Sequence, residues 1–270
     1  MQPKYSLLLV SSPTQQRSVY FKSKEAMDMW YNEILVNQGF SERPIDQYEA
    51  QGNLGDGTFG TVILAQHVFS KLKVAIKFMS KEKIENFFTT RNQAFSELEL
   101  LKETSSAQCP NILELLETFE DSQYFFVVTK FMPAGDLLNY LIKQSIQPLP
   151  EVQARLIIKQ VAQGIKALHE RFIVHRDIKV ENVLMNNFTM DAQAVISDLG
   201  CSIKLSSPME TLTFKIGTPG YIAPEIIEGR PYGMAVDIWS LGCLLHVLVT
   251  ASPPFWEDDR SKRNHRVRNE

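Results

Sequence analysis

Cysteine is scarce in this chain: Cys109, Cys201 and Cys243 are scattered over 270 residues without pair spacing. That excludes a densely disulfide-stapled scaffold and fits a reducing, cytoplasmic setting. Long apolar runs are missing as well. Residues 7–10 are too short for the core of a signal peptide and follow a polar start. The most apolar stretch, residues 237–250, contains Asp237 and His246 and falls short of the roughly twenty apolar residues of a membrane span. It reads as a buried core helix, and no membrane span is expected. Charge of one sign is also lacking: the net charge of −3 gives no general pull toward nucleic acid. The basic run at residues 260–268 is short and has no interleaved aromatics, so a solvated end is favoured over a nucleic-acid arm. No internal repeat or low-complexity segment is present, and with 44% hydrophobic residues the chain can bury a sizeable core.

Against that background one run stands out: His175-Arg176-Asp177-Ile178-Lys179-Val180-Glu181-Asn182, followed by Asp198-Leu199-Gly200. Phosphoryl transfer needs reactants in position, phosphate charge neutralised by magnesium, and an oriented hydroxyl. Asp177 suits the last task, Lys179 can reach the transferring phosphate, and Asn182 and Asp198 offer the hard oxygens that magnesium prefers. A lone Asp or Asn in a loop is equally turn chemistry, so the ordered set has to be weighed with what lies upstream.

Upstream stands Leu54-Gly55-Asp56-Gly57-Thr58-Phe59-Gly60-Thr61-Val62, then Val74-Ala75-Ile76-Lys77. Dinucleotide-binding folds use the same glycine spacing, but there the third glycine opens a helix. Here Val62-Ile63-Leu64 continues as a strand, so the glycines sit in a hairpin that can lie over phosphates.

In these motifs, from about residue 48 to 255, the chain resembles a eukaryotic-type protein kinase. The resemblance implies an α+β, bilobal fold with a small β-rich N-lobe and a larger helical C-lobe, and the use of ATP and Mg2+ on Ser or Thr of protein substrates. It implies that Lys77 holds the α and β phosphates and pairs with a helix glutamate, Glu97, with Glu99 as fallback. Gly55, Gly57 and Gly60, with Leu54, Asp56, Thr58 and Phe59, would cover the phosphates. Lys130 and Met132 would meet adenine through their backbones, and Thr129 would stand at the gatekeeper position. Val62, Ala75 and Leu184 would supply apolar faces, although each is also ordinary core. Thr218 would bridge Asp177 and Lys179, an arrangement of serine/threonine rather than tyrosine kinases. Arg176 could answer a phosphate on the activation loop, residues 201–218, with Thr213 the favoured acceptor. Asp136 and Glu181 would favour basic residues before the target, unless Asp136 only caps the following helix. Residues 217–225 and Pro253-Pro254-Phe255-Trp256 look most like the calmodulin-dependent group.

Two ends depart from a whole kinase. The lobe should continue past Trp256 for several helices, and their absence would leave Glu225 without its arginine partner; the domain reads as residues 48–256, truncated, with a basic tail at 257–270. Residues 1–37 resemble the last hairpin and closing helix of a pleckstrin-homology domain. Strands at 5–10 and 18–21 would precede a helix at 24–36, capped by Ser23 and burying Met27, Trp30, Tyr31 and Leu35. Its lipid-gripping strands are absent, so lipid binding is not expected; an extension docked on the small lobe is the alternative. Residues 38–47 read as linker. A second functional class stays open alongside the enzyme: a dead ATP-binding fragment that serves as decoy or scaffold.

Overall fold

Alternation of apolar and polar residues sets the first large sheet. The structure is a computed structural model and describes residues 5–12, 15–21, 44–57, 60–85, 88–143 and 147–255. A hairpin comes first, β1 (Tyr5–Ser12) antiparallel to β2 (Gln15–Phe21), with Leu7 opposite Val19. The expected helix at 24–36, most of the linker and the basic tail lie outside the described residues. Within the linker's end, Pro44–Gln47 forms one 3-10 turn.

Next follows a five-stranded antiparallel sheet in the order β3 (Tyr48–Gly57), β4 (Gly60–His67), β5 (Lys73–Ser80), β7 (Tyr124–Lys130), β6 (Leu115–Glu120). Period-two alternation explains both of its faces. On β5, Val74 and Ile76 enter a small core with Ala65, Phe126 and Val128, while Ala75 and Lys77 point the other way. Cross-strand aromatic pairs reinforce that core: Phe119 stacks on Phe126 at 4.9 Å between centroids, and Phe78 meets Phe126 edge-on at 5.0 Å. The polar stretch after β5 makes a short helix, α1 (Lys81–Glu85), before α2 (Phe88–Ser106). On α2, Glu97, Leu100, Leu101 and Thr104 are buried at i, i+3, i+4 and i+7, one face of a 3.6-residue helix.

The second lobe is mainly helical. After the two-residue strand β8 (Gly135–Asp136) come α3 (Leu137–Lys143) and α4 (Glu151–His169), whose stripe Ala154, Ile157, Val161, Ile165 and Leu168 is buried in one core with short strands β9 (Ile173–Val174), β10 (Val183–Met185) and β11 (Ala194–Ile196), while β12 (Ile203–Lys204) pairs with β9. Gly164 lets α4 approach closely: a Cβ there would lie 2.8 Å from the Asn111 carbonyl oxygen and from Ile196 Cδ1. Two further helices complete the described part, α5 (Pro224–Glu228) and α6 (Ala235–Thr250).

The sequence reading of α6 as buried on all sides needs correction. Val236, Ser240, Leu244 and Val247 are buried, whereas Ile238, Leu245 and Val249 are exposed. One face packs into the lobe with α4; the other is apolar and has no covering element among the described residues. None of the helices among the described residues is long and apolar enough to cross a membrane.

Candidate active site

The N-lobe sheet roofs a cleft of about 400 Å³ whose floor is β10 and the turn after β11. Register decides which side chains reach it. Val62 lies opposite Lys77, and Ala75 opposite Thr129, so all four share the cleft face of the sheet. Leu54, Gly55 and Asp56 of β3 line the mouth, Lys130 and Met132 the back wall, and Leu184 and Asp198 the floor. Gly57 and Gly60 pair across the hairpin tip rather than lining the cleft, and Thr58 and Phe59 lie outside the described residues. Val127, Phe131 and Leu199 also line the cleft and were not among the candidate site residues, although the sequence places them in the strand before the hinge, in the hinge and in the metal loop. Their signal was contiguity with the assigned strand, hinge and metal loop.

Lys77 Nζ donates to Glu97 Oε1 at 2.6 Å. Glu99, two residues and so about 200° around α2 from Glu97, is exposed. The stripe on α2 therefore selects Glu97. Its second oxygen, Oε2, is buried with no partner among the described residues. Burial pushes the Glu97 carboxyl above its usual range, Lys77 pulls it back, and Asp198 adds to the upward push.

Below the cleft, a denser network surrounds Asp177. Thr218 Oγ1 donates to Asp177 Oδ1 at 2.6 Å and accepts from Lys179 Nζ at 2.8 Å. Lys179 Nζ also stands 3.0 Å from Asp177 Oδ2. Asn182 Nδ2 donates to the Asp177 carbonyl at 2.8 Å and to Oδ2 at 3.0 Å, leaving Asn182 Oδ1 without a hydrogen bond among the described residues. Asp198 occupies the left-handed region, with φ 57°, and its Oδ1 accepts from the Gly200 N–H at 3.1 Å. The oxygens of Asn182 and Asp198 left without a hydrogen bond among the described residues are hard donors of the kind a magnesium ion takes.

Buried partners hold this loop in place. Asp237 accepts from the backbone N–H of His175 at 2.9 Å and of Arg176 at 2.8 Å, and His169 Nε2 lies 2.8 Å from its Oδ2. His175 Nδ1 accepts from the Asp177 N–H at 3.2 Å, a structural use of the ring. The His169 contact was missed from the sequence, because nothing local couples residues 68 apart. Arg176 Nε donates to the Cys201 carbonyl at 2.7 Å, and Thr213 is exposed. Burial, together with Asp177 and Asp198, raises the Cys201 thiol, and burial pushes Cys243 up to about 12, so both stay as unreactive thiols.

Asp136 Oδ1 accepts from the Asn139 N–H at 2.7 Å and Oδ2 from Asn139 Nδ2 at 2.6 Å, which caps α3. Glu181 is exposed and is not a wall of the cleft, because its neighbours Val180 and Asn182 turn inward on a 3-10 turn. Glu225 is half-buried and makes no ion pair among the described residues.

A lysine–glutamate pair under a glycine hairpin, above an aspartate, lysine and asparagine cluster in a helical lobe, defines the bilobal protein kinase architecture. Sequence comparison agrees: residues 48–270 match the protein kinase domain, and the chain belongs to that family. It is 35% identical over 214 residues to a protein named serine/threonine-protein kinase PLK4 from Drosophila virilis, covering 79% of this chain and 26% of that protein. It is also 35% identical over 225 residues to the protein of the same name from Drosophila melanogaster, covering 83% of this chain and 28% of that one. The chain thus spans about a quarter of the length of these curated relatives.

Proposed function

We propose that this chain transfers the γ-phosphoryl group of ATP to Ser or Thr hydroxyls of protein substrates. The observation that carries the reading is the Asp177, Thr218, Lys179 and Asn182 network, set beside the cleft that holds Lys77 and Glu97. Asp177, with Oδ1 held by Thr218, orients the attacking hydroxyl and takes its proton. The hydroxyl oxygen forms a bond to the γ-phosphorus as the bond to the bridging oxygen breaks, and ADP leaves. Lys179 lies where negative charge gathers on the transferred group. Lys77, held by Glu97, positions the phosphates, and Gly57 and Gly60 let the hairpin lie close over them. Asn182 and Asp198 would hold Mg2+, which supplies neutralisation of phosphate charge. Apolar Val62, Ala75 and Leu184 would sandwich the base, and Lys130 and Met132 would bond it through the backbone.

Glu181, exposed and without a side-chain partner among the described residues, supports a preference for basic residues before the target; Asp136 supports it less, because both of its oxygens already serve Asn139. The wording of residues 217–225 favours the calmodulin-dependent group, although the relatives reported above bear another name. We place the protein in the cytoplasm on the strength of its three free thiols. The N-terminal hairpin supports reading residues 1–37 as a piece of a pleckstrin-homology-like unit.

The test is incorporation of phosphate from Mg·ATP into an arginine-rich serine peptide, with Asp177→Asn alongside. Transfer that the substitution abolishes is expected. Background incorporation by a folded chain that ATP still stabilises would sink the reading.

A further inference from the structure

The C-terminal lobe carries a second feature that phosphoryl transfer does not use. On α4, Val152, Arg155, Leu156 and Lys159 fall at i, i+3, i+4 and i+7, one face of a helix. That face looks outward: Val152 is 53% and Leu156 38% exposed. The neighbouring edge of the same helix is pinned at two points. Gln153 Nε2 donates to the Tyr140 hydroxyl at 2.5 Å. One helical stretch further on, Gln160 Nε2 donates to the Ala192 carbonyl at 3.0 Å, while its Oε1 accepts from the Ala194 N–H at 3.0 Å. The Gln153 bond ties α4 to α3, and the Gln160 bonds hold the turn of residues 186–193 alongside α4.

The turn is closed by the Asn186 N–H donating to the Gln193 carbonyl at 3.1 Å and the Gln193 N–H donating to Asn186 Oδ1 at 2.7 Å. It presents Phe188 and Met190 at 45% and 49% exposure. Phe188 is nonetheless fixed. Its ring stacks on buried Tyr140 at 5.4 Å and 8°, and the Lys143 ammonium lies 4.7 Å from its centroid. An exposed aromatic held flat on a core residue is set before any partner arrives, which lowers the entropic cost of binding.

Charge around the patch is mainly positive, with Asp191 the acid on its turn. Lys143, Arg155 and Lys159 make no ion pair among the described residues. Asp191 is bonded by Thr189 Oγ1. We propose that this surface docks a short segment of a protein partner in which apolar residues alternate with Asp or Glu. Leu156, Phe188 and Met190 take the apolar side chains, and Lys143, Arg155 and Lys159 pair with the acids.

Random dodecamer peptides displayed on phage, selected on the whole chain and sequenced, provide the probe. Selection should enrich sequences that combine Leu, Ile or Phe with Asp or Glu. The double variant Arg155→Glu, Lys159→Glu, confined to exposed positions, should reduce recovery of that set by at least about tenfold and shift enrichment toward Lys and Arg; Phe188→Asp should lose both sets. Thermal midpoints with and without ATP check that each variant is folded, and phosphorylation of a serine peptide lacking the acidic segment should be unchanged. No set that separates wild type from the double variant, or a basic set on wild type, overturns the proposal. So does a concentration-dependent dimer that Phe188→Asp renders monomeric, since the patch would then belong to a contact between two copies of the chain.

Discussion

The two halves of the cleft are held in different ways. On the C-lobe side, Asp177 has both carboxylate oxygens engaged by Thr218, Asn182 and Lys179, and its loop is tied by backbone N–H groups to buried Asp237. On the N-lobe side, among the described residues, one ion pair, Lys77 with Glu97, joins the sheet to α2, and Glu97 Oε2 has no partner. The lower half is preorganised by redundancy: no single bond sets the direction of the Asp177 carboxylate. Among the described residues the upper half rests on a contact whose carboxylate pays for burial. Removing a group from the lower half should therefore abolish chemistry and spare the fold, while removing a group from the upper half should disturb both.

Asp177→Asn is the strongest test of that contrast. It keeps size and most hydrogen bonds, and deletes the proton acceptor. Peptide phosphorylation should fall by about 10²–10⁴-fold, with an unchanged thermal midpoint and ATP stabilisation intact. A midpoint that drops as far as the activity does would mean the lower half is no more robust than the upper.

Lys77→Met should break the upper half instead. It strands a buried carboxylate, an injury of about 3–5 kcal/mol, and at about 2–4 °C per kcal/mol for a domain of this size the midpoint should fall by roughly 6–20 °C. Acidity provides a gentler probe. Burial first, then Asp198 against the opposing pull of Lys77, holds the Glu97 carboxyl above its ordinary 4.5. On lowering pH, Glu97 takes a proton before an exposed glutamate does, the ion pair is lost, and KM for ATP should rise between that raised value and 4.5. Stability linked to this group runs the other way: it is fully present below 4.5 and is lost as pH rises through the raised value. Glu97→Gln should flatten both profiles, and a KM profile that keeps its acid limb in Glu97→Gln would place the titrating group elsewhere.

How much of this was legible in the sequence follows from the range of each interaction. The hairpin of β3 and β4, Lys77 on β5 and the Asp177 to Asn182 run were readable because each rests on local period or spacing. The choice of Glu97 over Glu99 was readable in principle too, since the buried stripe at 97, 100, 101 and 104 has helical period. The His169 contact with Asp237 was not, nor was the exposed side of α6, because both depend on which elements meet in space. The Asp136 question was left between two roles, and only the position of Asn139 shows that both carboxylate oxygens are occupied.

The hairpin tip sharpens the comparison on a smaller scale. A Cβ on Gly60 would lie 1.7 Å from the Phe78 carbonyl oxygen, so Gly60→Ala forces β4 away from β5. Overpacking of this kind costs about 1–3 kcal/mol. The midpoint should drop, and ATP affinity should weaken with it because Lys77 sits one residue before Phe78. Gly52→Ala, at a position with nothing within 4 Å of the added Cβ, is the matched control and should leave affinity unchanged. Equal losses in the two variants would show that the hairpin responds to any added side chain rather than to this contact.

The smallest effect separates capping from charge at the border of the two halves. Asp136→Ala removes the cap of α3 and should cost about 1 kcal/mol, a fall of about 2–4 °C in midpoint. Asp136→Asn keeps a good capping oxygen while removing the charge and one acceptor, so its midpoint should fall less than that of Asp136→Ala. Substrate choice provides the second readout. With both carboxylate oxygens engaged by Asn139, the preference for an arginine-rich over an alanine-substituted serine peptide should barely change in Asp136→Asn. Glu181→Gln should lower that preference by about 1.4–5-fold, the range that an exposed ion pair of about 0.2–1 kcal/mol supports. If Asp136→Asn erodes the preference as much as Glu181→Gln does, the capping carboxylate also reaches the peptide, and Asp136 acts in substrate binding as well as in the fold.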